Sequence, residues 1–145
     1  MAQNDMKQTG LDALNWLVRL QTDSQGHFVP VGCNGWYVQG QDKARFSQQP
    51  IEAMNMIEAC CDAFQVTSEK PGLTTAHLCL EWFLGCNDLN APLYDYRTGG
   101  CCDGLEALGP NQNQGAESTL AWLLALARLY QQRQPQVVGN EEFFK

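Results

Sequence analysis

The sequence predicts an all-α fold of two helical hairpins, arranged like part of an (α/α) toroid with long loops before the inner helices. Two landmarks predict it. Glu52 and Glu117, each at the start of an apolar helical run, stand 65 residues apart, and Trp16 and Trp82, each in an amphipathic segment upstream, stand 66 apart. Spacings that agree within one residue mark a repeated unit of helix, long loop and helix, and such units bury their cores by stacking. The repeats run over about 8–67 and 70–132 of one domain spanning 1–145, with 133–145 as a tail.

The elements follow in order. Leu11, Leu14, Leu17 and Val18 recur at helical period while Asp12, Asn15 and Arg19 face away, which predicts a surface helix over Leu11–Gln21. In the Gly- and Gln-rich stretch 22–49, His27–Val31 and Trp36–Val38 read as short extended pieces about a turn at Asn34-Gly35. Pro50 suits the first turn of the next helix, Ile51–Phe64, where its missing N–H costs nothing. Asn55, Glu58 and Asp62 give that helix a polar stripe. A third helix covers Thr74–Leu84 or starts a turn earlier, after Pro71-Gly72. Gly85–Gln114 is a loop long enough to suggest function. The last helix, Ala116–Gln132, is apolar from Leu120 to Tyr130 except at Arg128, which predicts burial on all sides. Trp16 and Trp82 read as hairpin core, and Pro135–Lys145 as a frayed end.

Bulk composition excludes several classes. The formal net charge of −7 argues against nucleic acid or an anionic membrane as partner, since both need a basic footprint. No apolar run is long enough to span a bilayer. The polar start, Met1–Thr9, lacks a signal-peptide core, so a cytoplasmic protein is expected. The seven cysteines are odd in number, and Cys60-Cys61 and Cys101-Cys102 are adjacent, a spacing that resists bridging; reduced thiols are expected. A zinc site drawn from His27, Cys33, Cys101 and Cys102 lacks any Cys-x-x-Cys pair, so no metal and no cofactor is expected. A Cys–His thiol hydrolase using His27 or His77 has no supporting spacing either. There is no phosphate-binding glycine loop.

The run Thr98–Leu105, followed by Asn111–Thr119, carries a resemblance. With Ala44–Phe46, Gln49–Ala53, Trp82–Asp88 and Leu93–Asp95 in the same order, it resembles the C-terminal helical region of bacterial glycosyltransferase-like proteins, of the six-hairpin (α/α)-toroid carbohydrate-active group. The resemblance covers about 11–129 and implies a carbohydrate context, with a glycosyltransferase chain as partner. The upstream catalytic domain of that family has no counterpart in these 145 residues, so transferase activity does not carry over.

Chemistry is expected where the inner helices begin. Glu52 and Glu117 occupy equivalent positions and would form the carboxylate pair that glycosidic bond chemistry uses, with Asp103 a further candidate. Trp36, Tyr37 and Tyr94 would stack on sugar faces, and Asp95, Asn111, Asn113 and Gln114 would bond hydroxyls. The competing role for Glu52 and Glu117 is helix capping, which a first-turn acid also performs. The predicted function is a carbohydrate-binding or carbohydrate-processing accessory domain; the alternative is a structural or assembly module without activity. Two hairpins leave apolar edges, so a homodimer or a complex is expected.

Overall fold

A computed structural model describes residues 2–133; the expected tail of 133–145 lies outside them except for Arg133, which is helical. The chain is mostly helical, with α1 at Ala2–Leu20, α2 at Pro50–Thr67, α3 at Pro71–Phe83 and α4 at Ala116–Arg133. One small hairpin departs from the all-α expectation: β1, Leu105–Glu106, pairs antiparallel with β2, Gly109–Pro110. Among the described residues no helix is long and apolar enough to cross a membrane.

Proline opens α2 and α3 at their first turns. Ser68 ends α2 in the left-handed region at φ 60°, its N–H donating to the Phe64 carbonyl at 2.7 Å. That tight cap reverses the chain within three residues, so α3 runs back along α2. Gly72 permits the close approach, since a Cβ there would lie 2.8 Å from the Cys60 carbonyl oxygen. At the far end the Trp82 indole N–H donates to Gln48 Oε1 at 2.7 Å, tying the end of α3 to the start of α2. Lys7 donates to the Val66 carbonyl at 2.9 Å, so α1 also lies antiparallel to α2.

The two inner helices are neighbours and start at the same end. Gln48, just before α2, exchanges two backbone hydrogen bonds with Leu105 (3.1 and 2.9 Å). Two residues from Leu105, Asp103 accepts the Gly115 N–H at the start of α4 at 2.6 Å. Further along, Arg128 of α4 lies 2.9 Å from Glu58 and also pairs with Asp62, both on α2. Those acids are two members of the predicted polar stripe. The parallel pairing agrees with the 65-residue offset read from the sequence.

The core lies between α2, α3 and α4, around Ile57, Cys60, Cys79, Trp82, Phe83 and Trp122. Trp82 and Phe83 meet edge-on at 5.2 Å, Phe83 lies 5.3 Å from Trp122, and Trp122 stacks on Tyr94 at 4.7 Å. Such contacts add about 0.5–1.5 kcal/mol each beyond the area they bury.

Several expectations are corrected. Helix α1 begins at Ala2 rather than Leu11: Ala2, Gln3, Met6, Lys7 and Gln8 favour helix, and the Lys7 bond to Val66 ties the added turns to the end of α2. His27–Val31 and Trp36–Val38 do not pair as strands. The expected turn at Asn34-Gly35 is present, over 33–35, and the local bridge joins Thr22 to Phe28 instead. Trp16 is 48% exposed rather than core, packing obliquely on Tyr37 at 6.1 Å. Helix α4 is not buried all round. Ser118, Ala121, Trp122, Ala125 and Leu129 face inward, while Leu120, Leu123, Leu124 and Tyr130 are exposed.

Candidate functional site

The loops before α2 and α4 meet at one end and form two distinct clusters. The first is a clasp around the start of α4. Asp103 accepts from the Gly115 N–H and from the Asn113 side-chain amide, and these bonds hold its carboxyl below the usual range, the Asn113 bond foremost. Both oxygens are engaged, so Asp103 ties the loop to the helix in the manner of an N-cap. Replacing Asp103 with alanine should lower stability by about 1 kcal/mol, a melting-point drop of a few degrees by calorimetry. An unchanged melting point would sink this reading.

The other polar residues of that loop are engaged similarly. Asn111 Oδ1 accepts from the Asn113 N–H at 3.0 Å, and Gln114 Oε1 accepts from the Thr98 hydroxyl at 2.7 Å. Asp95 accepts from the side chain and backbone of Arg97, which hold its carboxyl below the usual range. Tyr94 is half-buried with one ring face on Trp122. Glu117 is exposed at the first turn of α4.

The second cluster surrounds Glu52, which α2 carries in its first turn. Its Oε2 is buried and has no hydrogen-bond partner among the described residues. Burial pushes this carboxyl up to about 7, against an opposing pull from Lys43. Lys43 donates to the Val29 carbonyl, and burial lowers its own affinity for a proton. The nearby Cys33 thiol is pushed up by burial first, then by Glu52 and Glu106. Glu106 accepts from the Ser47 hydroxyl at 2.7 Å. Glu52 thus feels the Lys43 charge, and Cys33 feels both Glu52 and Glu106.

A rigid frame holds this cluster. Gln48 is fully buried, and its amide nitrogen donates to the Arg45 carbonyl at 2.6 Å and Asp88 Oδ2 at 2.7 Å. Arg45 pairs with the same Asp88 at 2.7 Å. Above the frame, the loop 32–47 presents Trp36, 61% exposed and in the left-handed region at φ 59°. A bulky residue seldom adopts that conformation, and its cost is borne where surrounding bonds over-determine it. Here the Trp36 N–H donates to Gly32 at 3.1 Å and its carbonyl accepts from Ala44 at 2.8 Å.

Of the residues singled out in the sequence, Glu52, Trp36 and Tyr37 belong to this loop region, whereas Asp95, Asp103, Asn111, Asn113 and Gln114 belong to the clasp. Sequence reasoning missed Lys43, Glu106, Gln48 and Asp88, and weighed Cys33 only as a zinc ligand. One signal was present: Lys43 and Arg45 are two of only nine cations, set together just before Pro50. Among the described residues no three His, Cys, Asp or Glu side chains converge as a metal ion requires.

The chain matches no protein-family model. No curated protein matches it significantly. Its chemistry has to be read from the site itself.

Proposed function

We propose that this chain is a carbohydrate-binding or carbohydrate-processing accessory domain, with the Glu52 region as its site and a glycosyltransferase chain as its partner. One observation carries the reading: Glu52, whose buried carboxyl has no partner among the described residues and is pushed up to about 7, sits in the first turn of α2, shortly after the loop that holds Trp36 in solvent. Such an acid is part protonated near neutrality, the state needed to donate a proton to a glycosidic oxygen or to bond a sugar hydroxyl. Trp36 supplies the flat apolar face that a pyranose ring covers. The second carboxylate is Glu106 in place of the expected Glu117, since the Ser47 hydroxyl bond and the Gln48–Leu105 backbone pairing hold Glu106 beside the start of α2. On this reading the four helices are two units of an (α/α) toroid, with the parallel inner helices α2 and α4 opening on the binding face.

The test is an NMR titration of the full chain with a panel of neutral oligosaccharides. Trp36→Ala should weaken the best ligand about tenfold or more, the equivalent of one lost stacking contact, and leave the melting point unchanged because the ring is exposed. If no oligosaccharide shifts the spectrum, or if Trp36→Ala binds as well as the wild type, the carbohydrate reading fails. The assembly-module reading has its own observation in the exposed apolar face of α4.

A further inference from the structure

Helix α4 is apolar on the side that faces away from its own core. Ala116, Leu120, Leu123, Ala127 and Tyr130 recur at spacings of four and three, the seam of a helix made to pair with another helix. All five are exposed, Leu120 at 56% and Tyr130 at 64%, and the flanking Leu124 is 50% exposed. Among the described residues nothing covers them. A monomer seldom leaves so continuous an apolar stripe in water.

We propose that this seam is a dimer interface in which α4 of one copy packs antiparallel on α4 of a second copy. The seam is self-complementary in that register. With the two-fold axis beside Leu123, Leu120 falls opposite the partner copy's small residue at position 127, and Ala116 opposite the partner copy's aromatic ring at position 130. Large side chains thus meet small ones, as an isologous contact requires. The charges agree with it. The seam itself carries none, which suits two chains that each bear a net charge of −7. Glu117 in the first turn and Arg133 in the last lie on opposite flanks of the seam, outside it, so antiparallel packing buries neither charge while it opposes the helix dipoles favourably. The area sets the strength. An 18-residue helix is about 27 Å long, and one such face falls short of the ~800 Å² per partner of a standard interface. A weak dimer that forms only as concentration rises follows. This inference stands apart from the carbohydrate reading, and either can fail alone.

Light scattering on the full chain between about 1 and 200 µM should show the mass rising from monomer to dimer by mass action. Leu123→Glu should raise the dissociation constant at least about tenfold while helical circular dichroism stays unchanged, because the side chain is half-exposed in the monomer. Direction is read by cross-linking in a Cys86→Ser background. A mixture of Ala116→Cys and Tyr130→Cys chains should form an intermolecular disulfide that neither variant forms alone. A chain that stays monomeric at the highest concentration overturns the proposal. So does a Leu123→Glu chain that dimerises as before, or variants that cross-link only to themselves.

Discussion

Replacing Trp82 with alanine should cost about 3–5 kcal/mol, the largest loss expected from any single substitution described here. The indole is fully buried and packs edge-on against Phe83, so its removal opens a cavity at the junction of α2, α3 and α4. It also leaves Gln48 Oε1 without its donor inside the core. Urea denaturation should show the midpoint collapsing, and a chain with this change would be partly unfolded at room temperature. Trp16→Ala supplies the control. That ring stands at the corresponding position of the first repeat but is half-exposed, and its loss should cost about 1 kcal/mol or less. Equal losses at the two tryptophans would show that the burial contrast between α1 and α3 is wrong.

Replacing Glu52 with glutamine should raise stability at high pH and leave it nearly unchanged at low pH. The carboxyl titrates near 4.5 when unfolded and at about 7 when folded. A raised folded value means that the native state holds its proton more tightly. The wild type therefore has its full stability below about 4.5 and loses it as pH rises through about 7. Glutamine cannot ionise, so the variant escapes that loss. The gain at pH 8 should be on the order of 2 kcal/mol, discounted for the screening that a part-exposed carboxylate retains. Melting curves at pH 4 and pH 8 decide it; a variant that parallels the wild type at both removes the strained carboxyl from the account. A gain in stability joined to a loss of sugar affinity would mark a residue kept for function at the expense of the fold.

The inner helices were legible because their starts carry strong local signals, Pro50 in one and Gly115 before Glu117 in the other. Their shared offset also survives in space as the contact of Arg128 with Glu58 and Asp62. The outward face of α4 was misread because hydrophobicity reports that a surface avoids water without saying what covers it. Leu120, Leu123 and Leu124 look like core in the sequence and lie in the open in the fold. Glu52 was legible from its place in the first turn. Lys43 and Glu106 were not, since they lie 9 and 54 residues away and only the loops bring the Lys43 charge to bear on Glu52 and the Glu106 charge on Cys33. Asp103 drew attention as an acid in a polar loop, yet a carboxylate bound by a backbone N–H and an amide does the work of a cap, and sequence alone does not tell the two apart.

The seven thiols are chemically unequal. Burial pushes Cys60 and Cys101 up to about 12 and Cys79 higher still, so at neutral pH these three stay as thiols and are poor nucleophiles. Cys61 and Cys102 are buried as well, and Cys33 is half-covered. Cys86 alone is exposed. An alkylating reagent therefore meets one ready target on the native chain and seven on the unfolded one. The count of modified sites becomes an internal gauge of how often the packed layer opens, with no added label.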